Sequence, residues 1–278
     1  MTPVRLEGFA LHAGTRTAVT LARHDGPITF GRGDERASLA QLCITRTDLG
    51  VAVSNGAGFE VDLVEHLLAA LGGLGLRRGV LALVEGPEIP ILDGGARAFV
   101  DALIRLEIPK EPPELRVVAH SRIEVGSSSY DFEPGESVDL TVEVSFDHPA
   151  IGARTARWLG DPRSFRDQIA PARTFGFAKQ AALLSGRQRA GLASRVAGSA
   201  DPATAALRNA VIVFDDPSTP PQLREENEIA NHKLLDLVGD FAFHGGPPLG
   251  RVLARRPGHT ATHEAIRQAI ASGVLSRR

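Results

Sequence analysis

Cysteine is almost absent from this 278-residue chain: Cys43 stands alone. A single thiol excludes an internal disulfide and the multi-cysteine zinc knots of small structural modules, so any zinc would be held by histidine and carboxylate. No apolar run approaches the roughly 20 residues of a membrane-spanning helix, and residues 1–7 lack a charged-then-apolar leader pattern. A net charge of -2 gives no global attraction to nucleic acid or to an anionic membrane surface. Any anionic substrate must therefore meet a local basic cluster. These absences predict a soluble, cytoplasmic protein in a reducing compartment.

The composition that remains is globular, with 43% apolar and 23% charged residues, and the length suits one large or two medium domains. The most informative stretch is 231–240. Its polar members His232, Asp236 and Asp240 recur every fourth residue, which on a helix at about 100° per residue forms one narrow stripe. An imidazole and a carboxylate one turn apart can grip a divalent metal, and nitrogen-plus-oxygen ligation suits zinc or iron. Two ligands are too few, so a third must come from elsewhere. Leu234, Leu235, Leu237 and Val238 equally suit an ordinary core helix carrying a hydrogen-bonded His–Asp pair, and the stripe alone leaves both readings open.

Along the chain, His12 falls in a glycine-bounded turn before a strand at 17–21, and 27–61 predicts a small sheet. A helix opens near Val64 with Glu65 and His66 in its first turn; Gly72, Gly73 and Gly75 supply a stop. A carboxylate at a helix N-terminus is favourable, whereas His66 there suits a neutral ligand better than a cation. A strand at 79–84, a turn at Asp93-Gly94-Gly95 and a helix at 96–106 complete this part. The proline-rich segment 109–114 reads as a stiff linker between domains 1–108 and 115–278. Beyond it come strands at 115–120, 121–125 and 138–146, a helical stretch at 163–169 and an insertion around 185–208. A strand at 209–214, a helix at 225–239, strands at 241–244 and 251–254, and a helix at 262–271 end the pattern. Glu65-His66-Leu67-Leu68 and Asn231-His232-Lys233-Leu234 occupy matching places. They predict an α+β protein of two similar units, each a sheet packed on helices, facing each other across a cleft where one supplies the other's third ligand.

Seven segments, in order, resemble one family, the zinc-dependent UDP-3-O-acyl-N-acetylglucosamine deacetylases of lipid A biosynthesis. They are Leu11-His12-Ala13-Gly14, 64–71 with Gly73-Leu74-Gly75, 88–94, 146–151, 172–177, 232–240 and Gly258-His259. The resemblance implies that His66, His232 and Asp236 are the zinc ligands, with iron suiting the same set. It implies Glu65 as general base, Thr174 as hydroxyl donor to the oxyanion, His259 as general acid and Asp240 as the group that orients His259. Lys233 and Arg256 would meet the diphosphate or uridine, Phe175 the sugar ring, and His12 the substrate. The other histidines, His24, His120, His148, His244 and His263, are left structural or on the surface. The resemblance also implies a monomer acting on a small molecule, an acylated UDP-amino sugar. The chain departs from the family pattern at Ser127-Ser128-Ser129, where a phosphate-binding lysine is usual, at Pro257 and at Gln180. Those departures touch substrate choice, and keep in view a zinc amidase for another N-acyl amino sugar or a metal-stabilised binding protein.

Overall fold

The computed structural model describes residues 2–149, 151–177, 209–214 and 219–277; Gln180 and the insertion expected around 185–208 lie outside the described residues. The chain opens with β1 (Val4–Phe9), β2 (Arg16–Pro27), β3 (Thr29–Arg32) and β4 (Glu35–Ser38). A three-stranded sheet follows, β5 (Cys43–Arg46), β6 (Ala52–Ser54) and β7 (Glu60–Val61), then α1 (Glu65–Leu74), β8 (Arg78–Glu85) and α2 (Arg97–Ile104). Hairpins β1–β2 and β3–β4 come first, and β8 inserts between them, antiparallel to β2 and parallel to β3.

Segment 109–114 carries no helix or strand. After it come β9 (Leu115–Val117), β10 (Ser121–Val125), β11 (Ser128–Glu133), β12 (Val138–Ser145) and β13 (Ala153–Trp158). A short helix, α3 (Pro162–Ser164), runs into a π-turn at Phe165–Ile169, and the parallel pair β14 (Phe175–Phe177) and β15 (Val211–Val213) leads to α4 (Glu228–Phe243). The chain closes with β16 (Gly250–Arg255), α5 (His259–Ala271) and β17 (Leu275–Arg277), the last pairing with β9. Here too two hairpins, β10–β11 and β12–β13, are parted by a later strand: β16 is antiparallel to β11 and parallel to β12. The expected similarity is thus a repeat of topology, two hairpins, a helix, a central strand and a helix. Strand patterning follows the two-residue period, with Val138, Leu140, Val142 and Val144 of β12 all turned to the core.

The helices α1 and α4 pack on each other inside one apolar core that takes in residues of both five-stranded sheets. Their approach explains several boundaries that the sequence pattern misassigns. Gly72 and Gly73 do not stop α1; the helix runs on to Leu74 and ends at Gly75, whose φ of 71° is left-handed. A Cβ on Gly72 would meet Val238 at 3.1 Å, and one on Gly73 would meet the Phe165 ring at 2.2 Å. Their lack of a side chain serves contact, not termination. Likewise α4 continues through the expected strand at 241–244, burying Phe241 completely, and stops at His244 before Gly245 and Gly246, both at positive φ. The last long helix begins at His259 rather than Thr262, which puts His259 in its first turn. Among the described residues no helix is long and apolar enough to cross a membrane.

Candidate metal centre and its neighbours

Glu65 is the first residue of α1, delivered by a turn in which Leu63 takes a φ of +60°, a left-handed conformation costly for a side chain with a Cβ. Its carboxylate is 3% exposed and accepts the Val51 N–H at 2.9 Å. Gly50, at a φ of +133°, lets that loop close over it, since a Cβ there would lie 3.0 Å from Oε1. Burial pushes the Glu65 carboxyl above its ordinary range, with the nearby His259 pulling the other way.

His66 follows on the same turn, and its ring meets that of His232 edge-on, with centroids 5.2 Å apart. On α4, His232, Asp236 and Asp240 form the stripe that their spacing predicts, and all three are buried. One ligand atom from each of His66, His232 and Asp236 lies within 4.8 Å of the others. His232 Nδ1 donates to the Ala172 carbonyl at 3.1 Å, because a carbonyl can only accept. That leaves Nε2 with its lone pair, 3.4 Å from Asp236 Oδ1.

The electrostatics of the cluster favour a cation. Burial, reinforced by His232, pushes the His66 imidazole down to about 3, and burial lowers His232 as well, so both are neutral at pH 7. Burial opposes ionisation of Asp236, but Lys233 and the histidines His232, His259 and His66 hold its carboxyl below the usual range. His66 Nδ1 and Asp236 Oδ1 are both buried without a hydrogen-bond partner. Such an unsatisfied buried group costs about 1–3 kcal/mol. Two neutral imidazoles and a carboxylate are the donor set of a three-ligand zinc or iron site, and a cation would satisfy the orphaned Asp236 Oδ1.

Asp240, one turn further along α4, meets α5 instead. His259 Nδ1 donates to Asp240 Oδ1 at 2.8 Å, while its Nε2 faces Asp236 Oδ2 at 3.9 Å. Burial disfavours a charged His259, but Asp240, Asp236 and Glu65 outweigh it and push the imidazole up to about 9. Arg256, three residues earlier, holds a φ of +50°; its N–H donates to the Glu143 carbonyl and its own carbonyl accepts from Ser128 Oγ. Its guanidinium is exposed.

The remaining expected residues surround this cluster. Thr174 is clamped through its backbone, its N–H on the Gly94 carbonyl and its C=O on the Val211 N–H, both at 2.7 Å. Gly94 is needed there: a Cβ would lie 1.8 Å from the Asn209 oxygen. Phe175 stands edge-on to the His232 ring at 6.0 Å. Lys233 turns inward, its Nζ donating to Asp236 Oδ2 at 2.7 Å. His12 Nε2 donates to the Leu49 carbonyl at 2.8 Å, and its backbone N–H reaches the buried Glu88 carboxylate at 2.9 Å. Glu65 is among the charges acting on it.

Residues 1–271 match the family profile described as UDP-3-O-acyl N-acetylglycosamine deacetylase. The chain belongs to this family. It is 34% identical over 276 residues to the UDP-3-O-acyl-N-acetylglucosamine deacetylase of Phenylobacterium zucineum (strain HLK1), covering 95% of this chain and 90% of the relative. The enzymes of that name from Brucella melitensis biotype 2 (strain ATCC 23457) and Brucella ovis (strain ATCC 25840 / 63/290 / NCTC 10512) are each 34% identical over 275 residues, with 95% of this chain and 91% of each relative aligned.

Three residues in this neighbourhood escape the sequence reading. Glu88 seats the His12 turn by accepting from both His12 and Ala13 N–H groups, at 2.9 and 2.7 Å. His263 and His244, left structural or on the surface, stand next to Asp240: His263 Nε2 lies 3.2 Å from Asp240 Oδ1, and its Nδ1 meets His244 Nε2 at 3.0 Å. The signal for His263 is present, since it follows His259 at the same four-residue spacing that marks His232 and Asp236.

Proposed function

We propose that this chain is a zinc-dependent deacetylase that hydrolyses the N-acetyl group of UDP-3-O-acyl-N-acetylglucosamine, giving the free amine and acetate in lipid A biosynthesis. The observation that carries the reading is the meeting of three buried donors, His66, the neutral His232 and Asp236, whose Oδ1 has no hydrogen-bond partner, beside the charges of Glu65 and His259. Family membership supplies the substrate class.

In this proposal His66, His232 and Asp236 hold the ion. Bound there, zinc supplies Lewis acidity, making a water acidic near pH 7 and polarising the acetyl carbonyl. Glu65 would take the proton from the attacking water, which its burial suits, because desolvation makes a carboxylate a stronger base. The Thr174 hydroxyl donates to the oxygen on which negative charge develops. His259, protonated and oriented by Asp240, gives a proton to the departing amine, which cannot leave as an anion. Phe175 faces the sugar, Arg256 the diphosphate side and His12 the rim near Glu65; Lys233, which is paired with Asp236, would have to turn away from it to reach the diphosphate. The enzyme acts as a cytoplasmic monomer on a cleft between its two α+β units, 1–108 and 115–278. Iron suits the same ligands and is the alternative ion.

Retention of Glu65 and His259 beside the ligands favours an enzyme over a metal-stabilised binding protein, which needs neither. The test is amine release from UDP-3-O-acyl-N-acetylglucosamine by protein carrying one zinc, beside the same sugar without its acyl chain. Turnover that requires the acyl chain is the expected result. A zinc-loaded protein that cleaves neither compound overturns the assignment, and cleavage of both equally points to an amidase for another amino sugar.

A further inference from the structure

Asp240 is shared. His259 Nδ1 reaches its Oδ1 at 2.8 Å, and His263 Nε2 approaches the same oxygen at 3.2 Å on a path too bent for a well-formed hydrogen bond. The two imidazoles leave α5 one turn apart and so lie on one face of it. That turn is pinned from the second sheet, where the buried Tyr130 hydroxyl meets Thr262 Oγ1 at 2.9 Å. Behind His263 stands His244 at the end of α4, with its Nε2 3.0 Å from His263 Nδ1. Burial, with His263 beside it, pushes the His244 imidazole down to about 4, so it is neutral at pH 7. A consistent arrangement has His244 Nε2–H donating to His263 Nδ1, which leaves the second proton on His263 Nε2, 3.2 Å from Asp240 Oδ1 though not aligned with it.

Two roles are open to such a chain: carrying protons to His259, or holding the carboxylate still. The first requires Asp240 to accept a proton. Burial favours that, yet His259 and His263 together hold the Asp240 carboxyl far below its ordinary range. Holding is the role that remains. It is needed because the terminal torsion of an aspartate is broad, and one hydrogen bond leaves the carboxylate plane free to turn.

We propose that His263 is a positioning residue for the deacetylation, a second imidazole that clamps the Asp240 carboxylate in the orientation His259 needs, with His244 fixing its tautomer. The proposal rests on the deacetylase reading above for its catalytic consequence, and on the Asp240 geometry for its structural one. It concerns no metal ligand, and His263 touches neither substrate nor ion.

The test compares His263→Leu, which fills the space without an N–H, with His263→Gln, which keeps a donor at similar reach. A small misplacement of a catalytic group by a change outside the site can cost up to about 100-fold. His263→Leu is expected to lower kcat by about tenfold, within that bound, with KM and bound zinc unchanged, and His263→Gln to recover most of it. Independently of turnover, the downfield His259 Nδ1–H resonance in the proton spectrum should move in His263→Leu and return in His263→Gln. A His263→Leu protein with wild-type kcat and an unmoved resonance overturns the clamp, as does a loss confined to KM or a His263→Gln protein no better than His263→Leu. Should the wild type fail to deacetylate the acylated sugar, the functional reading falls alone, because the resonance still decides the clamp.

Discussion

Gly239 lies so close to Glu65 that a Cβ at position 239 would sit 2.4 Å from the Glu65 carbonyl oxygen. That contact sets the spacing between α1 and α4, and with it the distance from His66 to the pair His232 and Asp236. Adding one methyl group into a filled core costs about 1–3 kcal/mol. Gly239→Ala should therefore lower stability by about that amount in urea unfolding and should weaken zinc retention as well, because it drives the ligand-bearing helices apart. An unfolding midpoint and metal content equal to wild type would mean that the helices can slide without loss.

The same glycine marks where the sequence could be read and where it could not. The polar stripe was legible because a four-residue period on one helix is a local fact: His232, Asp236 and Asp240 needed no tertiary knowledge. The third member of the buried cluster, His66, and the neighbours Glu65 and His259 came from the order of short motifs. The alternating β12 was legible for the same local reason, as was the absence of helix and strand from 109–114. Gly72, Gly73 and Gly239 were not, because a glycine that stops a helix and one that admits a neighbour look identical without the neighbour. Phe241 and Phe243 resembled a strand for want of that same information. The Asp240–His263–His244 chain joins two helices, and nothing at the level of sequence tells which way His263 faces.

Replacement of Glu65 by glutamine keeps size and hydrogen bonding but removes the base. Turnover should fall by about 10²–10⁴-fold, the usual worth of a positioned general base, with zinc staying near one per chain. If metal is lost together with activity, Glu65 is a ligand or a structural group instead.

The rate should decline at alkaline pH through His259. Its pKa is raised to about 9 in the ion-free fold, a cation held by Asp236 pulls it back down, and the proposed acid works only when protonated. Activity from this group is therefore full below its pKa in the loaded enzyme and is lost as pH rises through it. The groups that face it are Asp240 and Asp236 from α4 and Glu65 from α1. A kcat–pH profile of His259→Gln should lack the alkaline limb altogether, at a much lower plateau. A limb that survives the substitution belongs to some other group.

Removal of the ion should be felt in stability as well as in rate. An ion that binds only the folded state stabilises it by about 4 kcal/mol at a thousand times its Kd, and without it Asp236 Oδ1 has no hydrogen-bond partner. Dialysis against a chelator should lower the thermal midpoint, and added zinc should restore it. In Asp236→Ala the midpoint should no longer respond to zinc. A chelated wild type that melts as before would argue that the three side chains hold no ion.

The order in which the chain is made has a bearing on how the ion arrives. His66 is synthesised before either hairpin of the second sheet, and Asp236 only after both; β16, the strand that parts those hairpins, and His259 follow later still. A growing chain therefore carries one ligand for most of its synthesis. By the time it carries three, the second sheet still lacks its central strand. If the three side chains hold an ion, as proposed, only a chain that is nearly finished can grip it with all three.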